Sequence, residues 1–71
     1  AEDTLVIQQA ISNLPDKQRA VILLAFYEDL PQEDISLILD IPVGTVKSRL
    51  HHAIKALKAE LKEDFHNERG I

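Results

Sequence analysis

The sequence predicts an all-α domain of four helices that ends in a helix-turn-helix. Its 71 residues are enough for one hydrophobic core and too few for two, so we expect a single domain over residues 1–71. The apolar residues are mostly Leu, Ile, Val and Ala with only three aromatics, a composition that favours packed helices over a sheet. Three prolines, Pro15, Pro31 and Pro42, divide the chain into segments with helical periodicity.

The first two helices are expected to meet at Pro15. The first begins near Asp3 or Thr4, either of which can serve as an N-cap, and ends at Asn13, because the residue before a proline avoids the α conformation. The second runs from about Asp16 to Glu28. Their periodic apolar positions are Ile7, Ile11 and Leu14, then Val21, Leu24 and Ala25. A further apolar face, made of Leu23, Phe26, Tyr27 and Leu30, indicates that the second helix lies at the buried centre.

The third and fourth helices form the predicted helix-turn-helix, over about residues 31–62. The third is short, from Pro31 or Gln32 to Leu39, and its apolar stripe is Ile35, Ile38 and Leu39. After a break of about three residues, the fourth runs from Val43 to about Leu61. We expect residues 63–71 to form a frayed tail.

The fourth helix has two chemically different faces. At about 100° per residue, one stripe is apolar and faces the core: Val46, Leu50, Ala53, Ile54, Leu57 and Leu61. The opposite face is basic or hydrogen-bonding: Lys47, Ser48, His51, His52, Lys55, Lys58 and Lys62. Residues 43–62 hold five bases and one acid, a net charge of +4, in a chain whose net charge is -4. A local positive field of this kind is a usable footprint for nucleic-acid phosphates, and a helix face that only contacts solvent is the alternative explanation.

Small residues open this helix, since Gly44 and Thr45 lie in its first turn. In a helix-turn-helix that turn enters the major groove, where a residue without Cβ lets the backbone approach DNA. Crowding of Gly44 against the preceding helix would explain the same residue, and the sequence leaves both explanations open.

The run from Leu14 to Leu57 resembles region 4 of bacterial sigma factors, particularly the extracytoplasmic-function group. The specific parts are LPDKQR at 14–19 and IPVGTVKSRLHHA at 41–53. The resemblance implies a winged-helix-like fold of the sigma region 4 type, which contacts the minus-35 promoter element and docks on the β-subunit flap of RNA polymerase. It also implies sequestration by an anti-sigma factor as a form of control. The DNA-facing residues carried over by position are Thr45, Lys47, Ser48, Arg49, His51, His52 and Lys55, and Gly44 joins them because of its place in the first turn. Arg19 would support the turn or contact the DNA backbone near the upstream helix, and a surface salt bridge would explain the same residue.

Three residues depart from the family pattern. Asp40 stands in the turn where the family commonly has Gly, and Asp adopts a left-handed conformation less readily than Gly. His52 replaces a frequent Arg, which removes a fixed positive charge. Pro31 replaces a frequent Ser and can start a helix but not cap it through a side chain.

Other functions remain open at this stage. The domain would be mainly a protein-docking module if the apolar surface around Phe26 and Tyr27 stays uncovered, and a GTVK run also occurs in LuxR-type regulators. We expect no enzyme, because no nucleophile and base pair has a supporting pattern and so small a helical domain offers little room for a pocket that excludes water. The histidines His51, His52 and His66 suggest a metal, but we expect no metal site or cofactor, because the neighbours His51 and His52 point about 100° apart and cannot share an ion with the usual geometry. Without a long apolar run or a signal segment, we expect a soluble, cytoplasmic protein and no membrane partner. Because it begins inside a helix, we expect this domain to come from a longer chain.

Overall fold

The computed structural model describes the backbone of residues 2–69 and the side chains of residues 4–62. Its helices are α1 (Glu2–Ser12), α2 (Asp16–Ile22, continued by a π-helical turn at Leu23–Tyr27), α3 (Gln32–Leu39) and α4 (Val43–Arg69). Residues 2–69 contain no strand. The prediction of an all-α fold with four helices is confirmed.

The core forms where α4 packs across the other three helices. Its buried side chains are Ile11, Leu14, Val21, Ile22, Ile35, Val46, Leu50 and Ala53. Two residues predicted on core-facing stripes lie outside it, because Ile7 is 42% exposed and Ile38 is 57% exposed. A domain with a single central helix covers only one side of each short helix, so the edges of their apolar stripes remain in solvent.

The second helix differs most from its prediction, because its last turn is π-helical. The amide of Glu28 donates to the carbonyl of Leu23 at 3.1 Å, five residues back, and Asp29 then adopts a left-handed conformation with φ 56°. Phe26 is 60% exposed and Tyr27 is 57% exposed. The prediction that this face lies at the buried centre is wrong for these two aromatics, since no other described helix covers them.

The turn between α3 and α4 is three residues long. Asp40 adopts the left-handed conformation, with φ 56° and ψ 50°. Its amide and that of Ile41 both donate to the carbonyl of Ser36, whose hydroxyl donates in return to the carbonyl of Ile41. The carbonyl of Pro42 then accepts the amides of Thr45 at 2.9 Å and Val46 at 3.1 Å, which starts α4. Asp40 therefore adopts the left-handed conformation, although Asp does so less readily than Gly.

The last helix begins at Val43 as predicted and continues to Arg69, beyond the expected end near Leu61. The expectation of a frayed tail over residues 63–71 stays a prediction. The side chains of these residues, and the backbone of residues 70 and 71, lie outside the part of the chain that the structure describes. Within the described chain, no helix combines the length and the apolar character that crossing a membrane requires.

Candidate nucleic-acid interface

The candidate interface is built on α4, which has one face against the core and the opposite face in solvent. Val46 and Ala53 are 0% exposed, and Leu50 is 8% exposed. These residues hold the helix against the core, so the side chains on the opposite face point into solvent. The exposed set is Lys47, Ser48, His51, His52, Lys55, Lys58 and Lys62. The face that the sequence predicts as basic is therefore open to a ligand along its whole described length.

Gly44 lies exposed in the first turn of α4, and nothing in the described part of the chain requires a glycine there. A Cβ built on Gly44 would meet no atom within 4 Å, and its φ is not positive. Crowding against the preceding helix, the alternative that the sequence left open, is therefore ruled out. Gly in a helix costs about 1 kcal/mol relative to Ala, so its presence here points to a ligand that comes close to the backbone.

Backbone donors are also available in this turn. The carbonyl of Pro42 accepts the amides of Thr45 and Val46. The first amides of an α-helix have no carbonyl acceptor within the helix. The amides of Val43 and Gly44 are in this position, so they can donate to an acceptor outside the chain. The helix dipole adds a partial positive charge at the same end, which favours an anion.

Two predicted residues lie at the edge of the exposed face. Thr45 and Arg49 are both half-buried. The helical wheel places Arg49 on the flank at about 300° from Val46, a position from which a long side chain reaches over the rim of the helix. The structure agrees with that position, and a role in binding a phosphate stays a prediction.

The paired histidines stand side by side on the exposed face. The ring centroids of His51 and His52 are 5.7 Å apart, with an angle of 62° between the ring planes. Among the described residues, no three His, Cys, Asp or Glu side chains are grouped to hold a metal ion, and His66 lies outside the described side chains. Both imidazoles can donate and accept hydrogen bonds, which suits contacts to base edges or phosphates.

Arg19 stands apart from this face, at the corner between α1 and α2. Its Nη1 donates to the carbonyls of Ser12 at 3.1 Å and Leu14 at 3.2 Å, and its Nη2 pairs with Asp16. The carbonyls at the end of α1 need such donors, because the helix itself supplies none. The geometry favours the turn-supporting role, and a DNA contact by Arg19 stays a prediction.

One contact of the fourth helix has no signal in the sequence. Asn13 Nδ2 donates to Glu60 Oε1 at 2.8 Å, and the two residues are 47 positions apart. Glu60 is the one acid within residues 43–62. Neither the spacing of apolar residues nor any motif relates Glu60 to Asn13. In the sequence, both are ordinary polar residues typical of a surface.

The chain is similar to a known protein family and to several curated proteins. The family described as "Sigma-70, region 4" matches residues 4–57, which include both of the motifs quoted above. The ECF RNA polymerase sigma factor SigW of Bacillus subtilis (strain 168) is 49% identical over 57 residues, which cover 80% of this chain and 30% of that protein. The ECF RNA polymerase sigma factor SigL of Mycobacterium tuberculosis (strain H37Rv) is 43% identical over 63 residues, covering 89% of this chain and 36% of that protein.

A further relative, the RNA polymerase sigma factor SigV of Bacillus subtilis (strain 168), is 39% identical over 60 residues, covering 83% of this chain and 36% of that protein. The chain spans about a third of the length of these relatives. Since the match includes LPDKQR as well as the GTVK run, it favours a sigma factor over a LuxR-type regulator. The helix-turn-helix, the basic outer face of α4 and these similarities agree, and the chain belongs to the sigma-70 region 4 family.

Proposed function

We propose that this chain binds promoter DNA sequence-specifically at the minus-35 element, as the region 4 domain of an alternative sigma factor of the extracytoplasmic-function group. The observation that carries the proposal is the arrangement of α4 behind its turn. Its apolar stripe is buried in the core, and its cationic, hydrogen-bonding face is exposed from the first turn onward. This is the geometry with which the second helix of a helix-turn-helix enters a major groove.

The first turn of α4 would approach the DNA most closely. Without a Cβ at Gly44, the backbone can come nearer to the sugar-phosphate strand, and the amides of Val43 and Gly44 can donate to a phosphate oxygen. The hydroxyl of Thr45 adds a donor beside them. These contacts fix the position of the helix and do not select bases.

The exposed side chains further along the helix would select and hold the site. Lys47, His51 and Lys55 follow one another at intervals of four residues, so they share a line along the helix. From this line, donors can reach the acceptors of guanine or the adjacent backbone. Ser48 and His52 lie beside the line and would supply shorter contacts, while Arg49 on the flank would reach a phosphate.

The proposed partner in this role is RNA polymerase. Several relatives are named as RNA polymerase sigma factors. The chemistry of transcription initiation belongs to the polymerase, and this chain would contribute recognition. Such a role places the protein in the cytoplasm, where promoter DNA is found.

The experiment that tests DNA binding replaces Lys47 and Lys55 by Ala, separately, and measures the affinity for a promoter duplex at several salt concentrations. Each lost phosphate contact lowers the slope of log affinity against log salt by about 0.9, so both variants should bind more weakly and with a flatter dependence. Lys17→Ala is the matched control, because Lys17 is also an exposed lysine and lies on α2. Unchanged affinity in both α4 variants would refute the DNA-facing assignment.

A second function, protein docking, is favoured by the exposed aromatics of the π-helical turn. Phe26 and Tyr27 each expose more than half of their surface, and Glu28 and Asp29 beside them are exposed acids. An apolar patch with a charged rim is typical of protein interfaces. We infer that this patch contacts the polymerase, with the β-subunit flap as the expected site and an anti-sigma factor as a competitor.

The experiment that tests docking combines Phe26→Ala with Tyr27→Ala. This double variant should bind core polymerase more weakly and should keep the wild-type affinity for DNA. Equal polymerase binding in the wild type and the double variant would exclude the patch.

A further inference from the structure

We propose that Lys58 and Lys62 extend the DNA contact of α4 past the major groove, to phosphates of the strand that borders it. The inference rests on the proposed function and adds a second, sequence-independent part to the interface. It concerns a section of α4 that lies beyond the GTVK motif and its carried-over residues.

The two lysines continue the line on which the predicted DNA-facing residues lie. At about 100° per residue, Lys47, Lys58, His51, Lys62 and Lys55 all fall between about 100° and 180° from Val46. Val46 is fully buried, and all five of these side chains are exposed. The basic side chains therefore form one stripe, about 80° wide, along the outer surface of the helix.

This stripe is longer than a groove is wide. Lys47 and Lys62 are fifteen residues apart, which corresponds to about 22 Å along a helix that rises about 1.5 Å per residue. The major groove of B-DNA is about 12 Å wide. The N-terminal residues of such a helix contact the base edges, and we place the distant lysines, at the other end of the stripe, beyond those bases. The position that remains for them on the same face is the phosphate strand at the edge of the groove.

No carboxylate neutralises the stripe within the described side chains. Glu60, the one acid of residues 43–62, directs its Oε1 to Asn13 Nδ2 at the α1–α2 corner. The only ion pair among the side chains of residues 4–62 joins Arg19 to Asp16. Lys58 and Lys62 thus keep their charge available for an anion that lies against the outer face of α4.

The test compares the wild-type chain with Lys58→Ala combined with Lys62→Ala on three duplexes. One duplex ends at the edges of the recognised element, and the other two carry about ten extra base pairs on one side or the other. Alanine preserves the helix, and a second variant with glutamine at both positions keeps most of the aliphatic stem while removing the charge. Circular dichroism checks folding, and Lys17→Ala is the control for the loss of a lysine elsewhere.

Two lost phosphate contacts should reduce the salt slope by about two on one of the extended duplexes. Between about 50 and 200 mM salt, the wild type should then lose about tenfold more affinity than the double variant on that duplex. On the short duplex, the two proteins should bind alike, and the preferred base sequence should be unchanged. An equal slope on all three duplexes would overturn the inference, as would an equal loss on all three. A wild-type chain that fails to bind any duplex would instead refute the proposed function.

Discussion

Asn13 Nδ2 lies 2.8 Å from Glu60 Oε1 and joins the corner between α1 and α2 to the middle of α4. Glu60 lies at about 320° around α4 from Val46, on the flank of the buried stripe and apart from the lysines, so the contact connects the two parts of the fold on the side away from the basic face.

Removing this hydrogen bond should lower stability modestly. Asn13→Ala should reduce the free energy of unfolding by about 0.5 kcal/mol, since an exposed hydrogen bond contributes at the low end of the usual range. Glu60→Ala should do the same, and the double variant should lose no more than either single one, because both remove the same contact. Urea unfolding of the three variants measures this cycle. Strictly additive losses would show that the two side chains do not interact in solution.

Gly44→Ala should change stability and DNA binding in opposite directions. Alanine favours the helix by up to about 1 kcal/mol, and its Cβ meets no atom within 4 Å, so the free energy of unfolding should rise. The affinity for promoter DNA should fall, because the new methyl group holds the backbone away from the phosphates. Thermal unfolding and DNA titration of the same preparation give the two results. A variant that is more stable and binds DNA as well as the wild type would show that DNA does not approach this residue.

Arg19 should prove to be a stabilising residue of the α1–α2 corner. Arg19→Ala removes two hydrogen bonds to carbonyls and should reduce the free energy of unfolding by about 1 kcal/mol, a value that allows for partial exposure. Arg19→Lys should recover little of this loss, since a lysine cannot reproduce the forked geometry. The DNA affinity of both variants is measured at a temperature at which they remain folded. If the lysine variant is as stable as the wild type and only the alanine variant binds DNA weakly, Arg19 is instead a DNA contact.

Asp40 combines a strained backbone with a negative charge beside the start of α4. Its φ of 56° is tolerated by Asn about as well as by Asp, but Ala should lose about 1 kcal/mol of stability there. Asp40→Asn should therefore keep the stability and raise the affinity for DNA, because it removes a charge that repels phosphates. Chemical unfolding and DNA titration at low salt test the two parts. Weaker DNA binding by the asparagine variant would contradict this role.

The sequence predicts the helices well because prolines and apolar spacing act locally. Pro15, Pro31 and Pro42 mark the ends of segments, and the stripe through Val46 and Leu50 correctly identifies the buried face of α4. The π-helical turn escapes prediction, because its hydrogen bonds reach five residues back and leave no distinct apolar pattern. The exposure of Phe26 and Tyr27 follows from this turn and from the absence of another described helix over them.

Some parts of the candidate site can be predicted from the sequence, and others need the structure. The outward position of Lys47, His51 and Lys55 follows from helical geometry alone. The reason for Gly44 does not, since only the positions of neighbouring atoms distinguish crowding from an open surface. The role of Arg19 likewise depends on carbonyls whose positions are set by the packing of α1 on α2.

Selection of bound duplexes from a randomised pool, followed by sequencing, tests the central claim most directly. The wild-type chain should enrich one short motif, and Lys47→Ala combined with Lys55→Ala should abolish or alter that enrichment, while Lys17→Ala should leave it intact. An unenriched pool with the wild-type chain would contradict sequence-specific DNA binding by α4 and would leave protein docking as the function of the domain.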